Sequence, residues 1–341
     1  MRVRQAVVMV GGKGTRLRPL TDNRPKPILP VLDRPCLSYL ISSLAEGGIK
    51  EVILACGYRS EKMAAAIGDG SKEGITIEYS YEQEPMGTAG AIKLLEDRLD
   101  DTFVACNGDV FADIDLRKEI EEHNRAGASV TISLTHVENP CEFGIARLDD
   151  TGRILEFKEK PRPEEVFSDL VNAGVYVAEK EVMGYVPKGK MYDFSKELTM
   201  DLMNRGHRVQ GHMLSGVWMD VGRPSDLLRA NILMAERRSS DTERNDLVNG
   251  SKITGPFYIG DGGRAADSEI VSSVISKGST IRGSKITNSL IMADCDISNA
   301  CISGSILGER CMVGQGAKIT NAVIADGIII KENETIENSV I

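Results

Sequence analysis

The sequence has no excess of positive charge and no long apolar run. Its formal net charge is −9, whereas binding to nucleic acid or to an anionic membrane surface needs an extended basic face. The apolar stretch near the start, Ala6–Val10, is shorter than the core of a secretory signal, and no run reaches the roughly 18 apolar residues of a membrane span. We therefore expect a cytoplasmic protein with no nucleic-acid or membrane partner, in which any anionic ligand meets local positive charge.

Cysteine and histidine do not occur in a metal-binding pattern. The seven cysteines include no C-x-x-C pair, and none of the four histidines lies at metal-ligand spacing to a cysteine. An odd number of unclustered cysteines predicts free, buried thiols in a reducing compartment.

Two hydrophobic patterns divide the 341 residues, a length that accommodates two or three domains. Up to about Ala235, short apolar runs alternate with helical patterns, which indicates an α/β domain with a Rossmann-like, doubly wound sheet. The later strands are less regular than the first, so we expect a mixed sheet. The predicted strands are Val7–Val10, Val52–Ala55, Ile75–Tyr81, Phe103–Cys106, Ser129–Val137, Gly144–Leu148, Ile154–Phe157, Val171–Val177 and Val209–Leu214.

From Ile253 onward, an aliphatic residue recurs every five or six positions and helical patterning disappears. Every third member falls into one of three columns, in which successive residues are 16 or 17 apart. A triangular coil with three short strands per turn stacks each column along one inner edge, which predicts a parallel β-helix. The alternative, a sandwich of short antiparallel strands, would show period-two alternation and hairpin turns, which are mostly absent. The columns are Ile259, Ile275, Ile291, Leu307, Ile324 and Ile341; Ile281, Ile297, Val313 and Ile330; and Ile270, Ile286, Ile302, Ile319 and Ile336.

A glycine-rich, basic segment, GGKGTRLRPLTDNRPKP at residues 11–27, follows the first predicted strand. It is not a G-x-x-x-x-G-K-[ST] phosphate loop, because Lys13 precedes Gly14, and it is not a G-x-G-x-x-G dinucleotide fingerprint, because Leu17 replaces the last glycine. Glycines at these positions still allow backbone N–H groups to close on phosphate oxygens. The segment therefore predicts a phosphate-binding turn, and a surface loop with chance basic residues is the alternative.

Two cations of this segment are candidates for binding the phosphates. Arg16 offers a planar, permanently charged group to a phosphate whose charge grows during transfer. Pro25 fixes the backbone before Lys26, and Pro27 is expected to hold Lys26 itself in an extended conformation. The two prolines would then aim one ammonium group at little cost in ordering.

The same segment closely resembles the signature G-G-x-G-T-R-L-x-P-L-T-x-x-x-P-K-P of the sugar-1-phosphate nucleotidyltransferases. Further matches follow in family order: EPMGTAGA (84–91), CNGDV (106–110), FKEKP (157–161), VNAGVY (171–176) and WMDVG (218–222). The columns resemble the hexapeptide repeats of left-handed β-helices, in which Cys295 and Cys311 occupy positions that favour small side chains, so we expect both to be structural. The resemblance implies a nucleotidyltransferase catalytic domain at residues 1–236, a linker at 237–250 and a left-handed β-helix at 251–341.

The resemblance also implies a reaction. Members of the family join a sugar-1-phosphate to a nucleoside triphosphate by in-line attack on the α-phosphorus, and release pyrophosphate. Arg16 then stabilises the transition state and the leaving pyrophosphate, Lys26 contacts the reacting phosphates, and Asp109 and Asp220 hold Mg²⁺. Asp109 follows an apolar strand, where ligands of open α/β sheets gather. Read alone, each aspartate is more typical of a turn or a helix cap.

The remaining site residues come from the same resemblance. For the sugar phosphate, Glu159 accepts hydroxyl protons and Lys160 meets the phosphate, while the Asn172 amide and the Gly144 backbone approach the sugar. For the base, Glu82 or Glu84 accepts guanine N–H protons, although both also fit ordinary surface glutamates. Gly87 and Thr88 are expected against the base and ribose. The full nucleotide-binding set is Gly11, Gly12, Gly14, Thr15, Glu82, Gly87 and Thr88.

The segments EPMGTAGA and WMDVGRPSDLL are most similar to those of mannose-1-phosphate guanylyltransferases, so we expect GTP and mannose-1-phosphate as substrates. Transfer of a thymidylyl, uridylyl or adenylyl group to glucose-1-phosphate is the alternative. An inactive regulatory subunit that binds a nucleotide sugar is a further alternative, which the presence of the four catalytic and metal-binding residues disfavours. No histidine lies in the predicted β-helix, so acetyl transfer there is not expected. The open end of the coil leaves strand edges unpaired, and we expect a homo-oligomer formed through it.

Overall fold

The computed structural model describes residues 3–12, 14–57, 60–82, 84–238 and 248–341. The chain forms two compact units. The first combines the start of the chain, up to Gly12, with Leu37–Trp218, and the second combines the segment that ends at Cys36 with Met219–Ile341. The domain boundaries at residues 236 and 250 stay a prediction, and most of the predicted linker, residues 239–247, lies outside the described residues.

The first unit is built on a nine-stranded sheet. In chain order its strands are β1 Gln5–Val10, β2 Glu51–Cys56, β3 Thr76–Tyr81, β4 Thr102–Asn107, β5 Val130–His136, β6 Gly144–Leu148, β7 Ile154–Glu159, β8 Leu170–Glu179 and β9 Val209–Met213. The spatial order is β7-β6-β8-β4-β1-β2-β3, and β5 pairs with β8 and β9. Strands β4, β1, β2 and β3 are parallel, whereas β8 runs antiparallel to β4, β5 and β6. The predicted mixed sheet is therefore confirmed.

Amphipathic helices bury an apolar face at the helical period, as one helix of the first unit shows. In the helix Cys36–Glu46, the apolar face of Leu37, Leu40, Ile41 and Leu44 is at most 2 % exposed. Two further strands, Val110–Ile114 and Gly216–Asp220, and two short strands, Pro30–Val31 and Arg34–Pro35, lie outside the main sheet. In the described part of the chain, no helix combines the length and apolarity that a membrane span requires. The α-helices are α1 Cys36–Glu46, α2 Ser60–Ile67, α3 Gly87–Lys93, α4 Leu116–Ala126, α5 Thr199–Asn204 and α6 Pro224–Arg238.

The second unit contains a parallel β-helix, in which each short strand pairs with the strand one coil later. Ile281 lies beside Ile297 and Ile297 beside Val313, and all three are at most 3 % exposed. The other two columns align in the same way, which confirms the three predicted columns and the fold. The strands are Val248–Asn249, Lys252–Ile259, Arg264–Ala266, Glu269–Ile275, Thr280–Arg282, Lys285–Thr287, Leu290–Ile291, Asp296–Ser298, Cys301–Ser303, Ile306–Leu307, Met312–Val313, Lys318–Thr320, Val323–Ile324, Ile329–Ile330 and Thr335–Glu337.

Small buried side chains bond one coil to the next. Cys295 N–H donates to Ser279 Oγ over 3.1 Å, and the Cys295 thiol donates to Gly308 O over 3.1 Å. The Cys311 thiol donates in the same way to Ala325 O over 3.1 Å. Both cysteines are buried, as their place in the repeat predicts, and all seven cysteines of the chain are free thiols. The prediction that the thiols are buried is wrong for Cys141, which is half-buried, and for Cys301, which is exposed.

Many corners of the coil have a left-handed backbone, which glycine and asparagine adopt most readily. At one corner Gly283 has a φ of +56°, and a Cβ atom there would lie 2.3 Å from Oδ1 of Asn299 in the next coil. The corner between Val313 and Ile319 holds one residue more than the corner between Ile297 and Ile302. The columns nevertheless stay in register across this longer corner.

Candidate active site

Strand β1 is followed by two glycines, Gly11 and Gly12, which are both exposed. A Cβ atom at either position would meet no atom within 4 Å, and neither residue has a left-handed φ. The packing and conformation of the chain therefore do not require glycine here. A ligand that approaches the backbone closely would require it, and phosphate oxygens beside backbone N–H groups are such a ligand.

Gly14 differs from these two glycines, because the chain itself requires it. Its φ is +60°, and a Cβ atom would lie 3.0 Å from Lys26 Cβ and 3.2 Å from Thr21 Cγ2. The Thr21 hydroxyl donates a 2.9 Å hydrogen bond to Gly14 O. Farther along the loop, Leu17 and Leu20 are at most 1 % exposed, so the two leucines anchor a segment that is otherwise polar.

Two cations meet one carboxylate in the second unit. Lys26 Nζ lies 3.2 Å from Asp220 Oδ1, and Arg16 Nη2 lies 3.9 Å from Asp220 Oδ2. The Lys26 side chain is 8 % exposed, whereas the Arg16 side chain is 55 % exposed. A Cβ atom at Gly222 would lie 3.0 Å from both the Arg16 guanidinium and the Asp220 carboxylate. The cluster thus offers one fixed and one accessible positive charge to an anion.

The backbone of Lys26 corrects one expectation. Lys26–Ile28 forms a turn of 3₁₀ helix, so the prediction of an extended Lys26 is wrong. The extended residue is Pro25, with φ −69° and ψ 150°. Pro27 is compatible with this turn because the first residues of a helix have no intrahelical partner for their N–H groups. Pro25 therefore precedes the turn, Lys26 begins it and Pro27 is its second residue.

Asp109 lies in the first unit, in the turn between β4 and the strand Val110–Ile114. The turn packs tightly against β1, because a Cβ atom at Gly108 would lie 2.4 Å from Val10 Cγ1. Gly108 N–H also donates a 2.8 Å hydrogen bond to Met9 O. This contact fixes Asp109 at the carboxyl end of two neighbouring parallel strands, where ligands of α/β sheets bind.

Glu159, at the end of β7, is held by a hydroxyl group. The Ser195 hydroxyl donates to Glu159 Oε2 over 2.9 Å, and no described residue donates to Oε1. Burial raises the pKa of Glu159, and the Ser195 hydrogen bond only partly opposes it. A Cβ atom at Gly144 would lie 2.6 Å from Glu159 Oε2 and 2.5 Å from the Phe157 ring, so only glycine fits beside this carboxylate.

Lys160 and Asn172 lie in the same unit as Glu159. Lys160 is exposed and has a φ of +46°, which is uncommon for a lysine and typical of functional turns. Asn172 is buried at a register shift of β8, where its amide donates to Tyr176 Oη over 2.8 Å. Its Oδ1 accepts a 2.8 Å hydrogen bond from Gly174 N–H, so the side-chain orientation is fixed.

The predicted base-binding residues have structural contacts of their own. A Cβ atom at Gly87, which has a φ of +72°, would lie 2.6 Å from Tyr192 O, and the Thr88 hydroxyl accepts a 2.7 Å hydrogen bond from Phe194 N–H. Glu82 accepts from Met86 N–H over 3.2 Å, and burial raises its pKa. Thr15 is exposed in the first turn after Gly14, whereas the alternative base contact, Glu84, is exposed after β3.

Sequence reasoning missed two residues beside the candidate sugar site. Ser195 holds Glu159 and itself lies next to Asp193, whose carboxylate accepts from Ser195 N–H over 3.0 Å. Trp218 donates from its indole N–H to Ala173 O over 2.7 Å and packs edge-on against Phe143. The aspartate two residues before Ser195 is a helix-cap signal, but nothing in that signal points to Glu159.

Comparison with known families assigns both parts of the chain. A family model described as "Nucleotidyl transferase" matches residues 5–237. A second model, described as "GlmU-like, C-terminal hexapeptide", matches residues 257–339. The two matches cover the mixed α/β region and the β-helix respectively.

Individual relatives agree with these families and differ in their named substrates. A mannose-1-phosphate guanylyltransferase of Mycobacterium tuberculosis is 33 % identical over 97 % of this chain and 82 % of its own length. A UTP–glucose-1-phosphate uridylyltransferase of Synechocystis is 30 % identical over 94 % of this chain and 82 % of its own length. A solved structure of a putative glucose-1-phosphate thymidylyltransferase from Bacillus anthracis, in complex with sucrose, superposes with a TM-score of 0.62 at 26 % identity, over 68 % of this chain and 95 % of that one.

Proposed function

The chain belongs to the sugar-1-phosphate nucleotidyltransferases, and we propose that it transfers a guanylyl group from GTP to mannose-1-phosphate, giving GDP-mannose and pyrophosphate. The observation that carries a nucleotidyl transfer is the pair of cations on the two oxygens of Asp220. Charge develops on phosphate oxygens during in-line displacement, and fixed positive groups stabilise it.

Lys26 and Arg16 are proposed to stabilise this charge in different ways, because one is buried and the other exposed. The buried Lys26 ammonium is held by Asp220 before any substrate arrives, so little ordering is needed when it donates to the reacting phosphates. Arg16, more than half exposed, can swing toward the pyrophosphate as its charge grows. Gly11 and Gly12 add backbone N–H groups and leave space for the triphosphate.

A divalent metal ion is needed by this family, and we propose Mg²⁺ with Asp109 and Asp220 as its protein ligands. The donor chemistry fits, because Mg²⁺ is usually held by one or two carboxylates together with substrate phosphates. Among the described residues no group of three or more His, Cys, Asp or Glu side chains forms a cage of its own. When bound, the metal neutralises phosphate charge.

The sugar-1-phosphate is proposed to bind in the first unit. Glu159 Oε1 accepts a sugar hydroxyl, while Ser195 keeps Oε2 occupied and the carboxyl group oriented. Gly144 leaves room for the sugar ring, and the Lys160 ammonium pairs with the sugar's phosphate. Nucleophilic attack by that phosphate needs no covalent enzyme intermediate, so orientation is the main task of these residues.

A substrate panel tests the proposal. Pyrophosphate release is measured for GTP, ATP, UTP, CTP and dTTP, each with mannose-1-phosphate and with glucose-1-phosphate. We expect the highest kcat/KM for GTP with mannose-1-phosphate. Other substrate pairs should still give measurable turnover, because the enzyme distinguishes them by a few contacts of about 1–3 kcal/mol each. A preference for dTTP or UTP with glucose-1-phosphate would replace the guanylyl assignment by the activity named for two of the relatives.

The β-helix is proposed to form a homo-oligomer. Its last coils expose Met312, Ile329 and Val340, which are 52 %, 67 % and 65 % exposed, and the strand of Ile329 is the edge strand of its sheet. Size-exclusion chromatography with light scattering is expected to give a multiple of 37.1 kDa. A monomer at micromolar concentration would contradict this, and Ile329→Glu serves as the dissociating variant.

A further inference from the structure

The segment that carries Arg16 and Lys26 is attached to the β-helix by its own side chains. At one point the Arg24 guanidinium donates hydrogen bonds to the carboxylates of Glu309 and Asp326. At a second point Asp33 accepts from the Tyr258 hydroxyl and from Lys277 N–H, each over 3.0 Å. Lys26 lies between these two attachments in the chain.

The Arg24 attachment is the more buried of the two and uses both ends of the guanidinium. Arg24 Nη1 pairs with Glu309 Oε1, and Nη2 lies 2.5 Å from Asp326 Oδ2. The three side chains are only 13 %, 25 % and 6 % exposed for Arg24, Glu309 and Asp326. Glu309 N–H also donates to Asp326 Oδ1 over 2.9 Å, which ties the two acids to each other. A guanidinium held on two sides has a fixed position and orientation.

The backbone between Arg24 and Lys26 has very little rotational freedom. Pro25 is the single residue between Arg24 and Lys26, and its ring fixes φ at −69°. Lys26 then begins a helical turn, and its Nζ pairs with Asp220 over 3.2 Å. A displacement of Arg24 would therefore be transmitted to the Lys26 ammonium. Arg24 itself is mostly buried and occupied by two carboxylates, so it does not bind substrate.

We propose that Arg24 is a positioning residue for nucleotidyl transfer, which fastens the start of the Lys26 turn to the Glu309–Asp326 corner of the β-helix. The proposal rests on the proposed contact of Lys26 with the reacting phosphates. It gives the β-helix a task in the reaction, because residues some 285 and 302 positions after Arg24 hold the lysine in place.

The first test compares turnover with stability. Arg24→Gln is expected to lower kcat by about 10- to 100-fold, because misplacement of a catalytic group by about 1 Å has effects of that size. Arg24→Lys, which keeps the charge but reaches one carboxylate, is expected to give an intermediate kcat. Arg24→Gln leaves the Glu309 and Asp326 carboxylates without their cation and can therefore lower stability. The triple variant Arg24→Met, Glu309→Gln, Asp326→Asn removes all three charges. It is expected to lose as much kcat as Arg24→Gln, while its Tm stays near that of the parent.

The second test separates positioning from general support of the fold. In a Lys26→Ala background, Arg24→Gln is expected to change neither kcat nor the calorimetric Kd for the triphosphate, since the residue it positions is absent. A radiolabelled substrate allows kcat of the double variant to be measured at very low turnover, and calorimetry gives its Kd for the triphosphate. The control is Arg282→Gln, which breaks an exposed ion pair with Asp296 on the same β-helix and is expected to leave kcat unchanged.

Each outcome has a distinct meaning. A folded Arg24→Gln enzyme with kcat within twofold of the parent overturns the positioning role, as does an equal loss of kcat with and without the Lys26 ammonium. Full activity of Lys26→Ala instead removes the proposed contact of Lys26 with phosphate, and absence of turnover in the parent with every triphosphate removes the proposed function itself.

Discussion

Three glycines of one short segment are expected to respond differently to the same substitution. Gly14→Ala places a Cβ atom on a backbone with φ +60° and 3.0 Å from Lys26 Cβ. The left-handed conformation alone costs a residue other than glycine about 1–2 kcal/mol, and the contact with Lys26 adds to this. We therefore expect Gly14→Ala to lower both Tm and kcat.

Gly11→Ala and Gly12→Ala meet neither problem, because both positions are open and lack a left-handed φ. Their Tm should stay the same or rise, since alanine restricts the unfolded chain by about 0.4–1 kcal/mol. If these N–H groups hold phosphate oxygens, the new methyl group removes a charge-assisted hydrogen bond of about 1.5–3 kcal/mol, which corresponds to a loss of about 10- to 150-fold in kcat/KM for the triphosphate.

The assay pairs thermal unfolding with steady-state pyrophosphate release over a range of triphosphate concentrations. KM for the sugar-1-phosphate serves as the internal reference, because the two glycines are assigned to the nucleotide alone. If Gly11→Ala and Gly12→Ala keep both the Tm and the triphosphate kcat/KM of the parent, then no phosphate approaches this end of β1 and our interpretation of the segment is wrong.

Three further predictions concern the sugar site, a buried ion pair and the β-helix. Glu159→Gln should raise KM for the sugar-1-phosphate about tenfold, the effect of one lost hydrogen bond to a charged group, and leave KM for the triphosphate unchanged in pyrophosphate-release assays. A hydrogen bond donated by His212 to the buried Glu119 carboxylate raises the pKa of His212, so the stabilisation from this pair is complete below about pH 6.5 and is lost as pH rises through the raised value. The difference in Tm between the parent and His212→Gln should therefore be largest in acid and shrink in alkaline buffer. Ile297→Ala, at a fully buried column position, should destabilise the β-helix by about 2–5 kcal/mol in denaturant unfolding.

Matched variants test these three expectations. Exposed Glu156, also on β7, is the control for the sugar site, and an equal rise of KM in Glu156→Gln would remove the role of Glu159. His136→Asn breaks an exposed pair with Asp169 and should change Tm little, whereas a Tm difference for His212→Gln that grows with pH would contradict the raised pKa of this histidine. Ile341→Ala, at the 45 % exposed end of a column, should have a much smaller effect than Ile297→Ala.

The β-helix was predictable in detail, because its contacts follow a short repeat along the chain. Ile281, Ile297 and Val313 are separated by one coil each, and aliphatic residues at that spacing bury together only if the coil closes at the same length. The order of strands in the mixed sheet was not predictable in the same way. Strand β8 pairs with β4, β5 and β6, and such distant pairings leave no periodic trace in the sequence.

The candidate site shows the same division between local and distant information. Arg16, Lys26 and Asp220 were each identified from motifs, but the joint pairing of both cations with one carboxylate connects residues up to 204 positions apart and was not foreseen. The Ser195 hydroxyl on Glu159 was missed because serine is common and carries no pattern of its own. Lys26 was wrongly expected to be extended, since the preference imposed by Pro27 is weaker than the local helical turn that Lys26 begins after Pro25.

The longer corner between Val313 and Ile319 indicates where this coil can change its length. The added residue there leaves the stacked aliphatic interior undisturbed, since Val313 and Ile319 both keep their neighbours in adjacent coils. A peptide grafted at the exposed Gln315 would accordingly be displayed on the surface of the coil while the aliphatic columns stay in register.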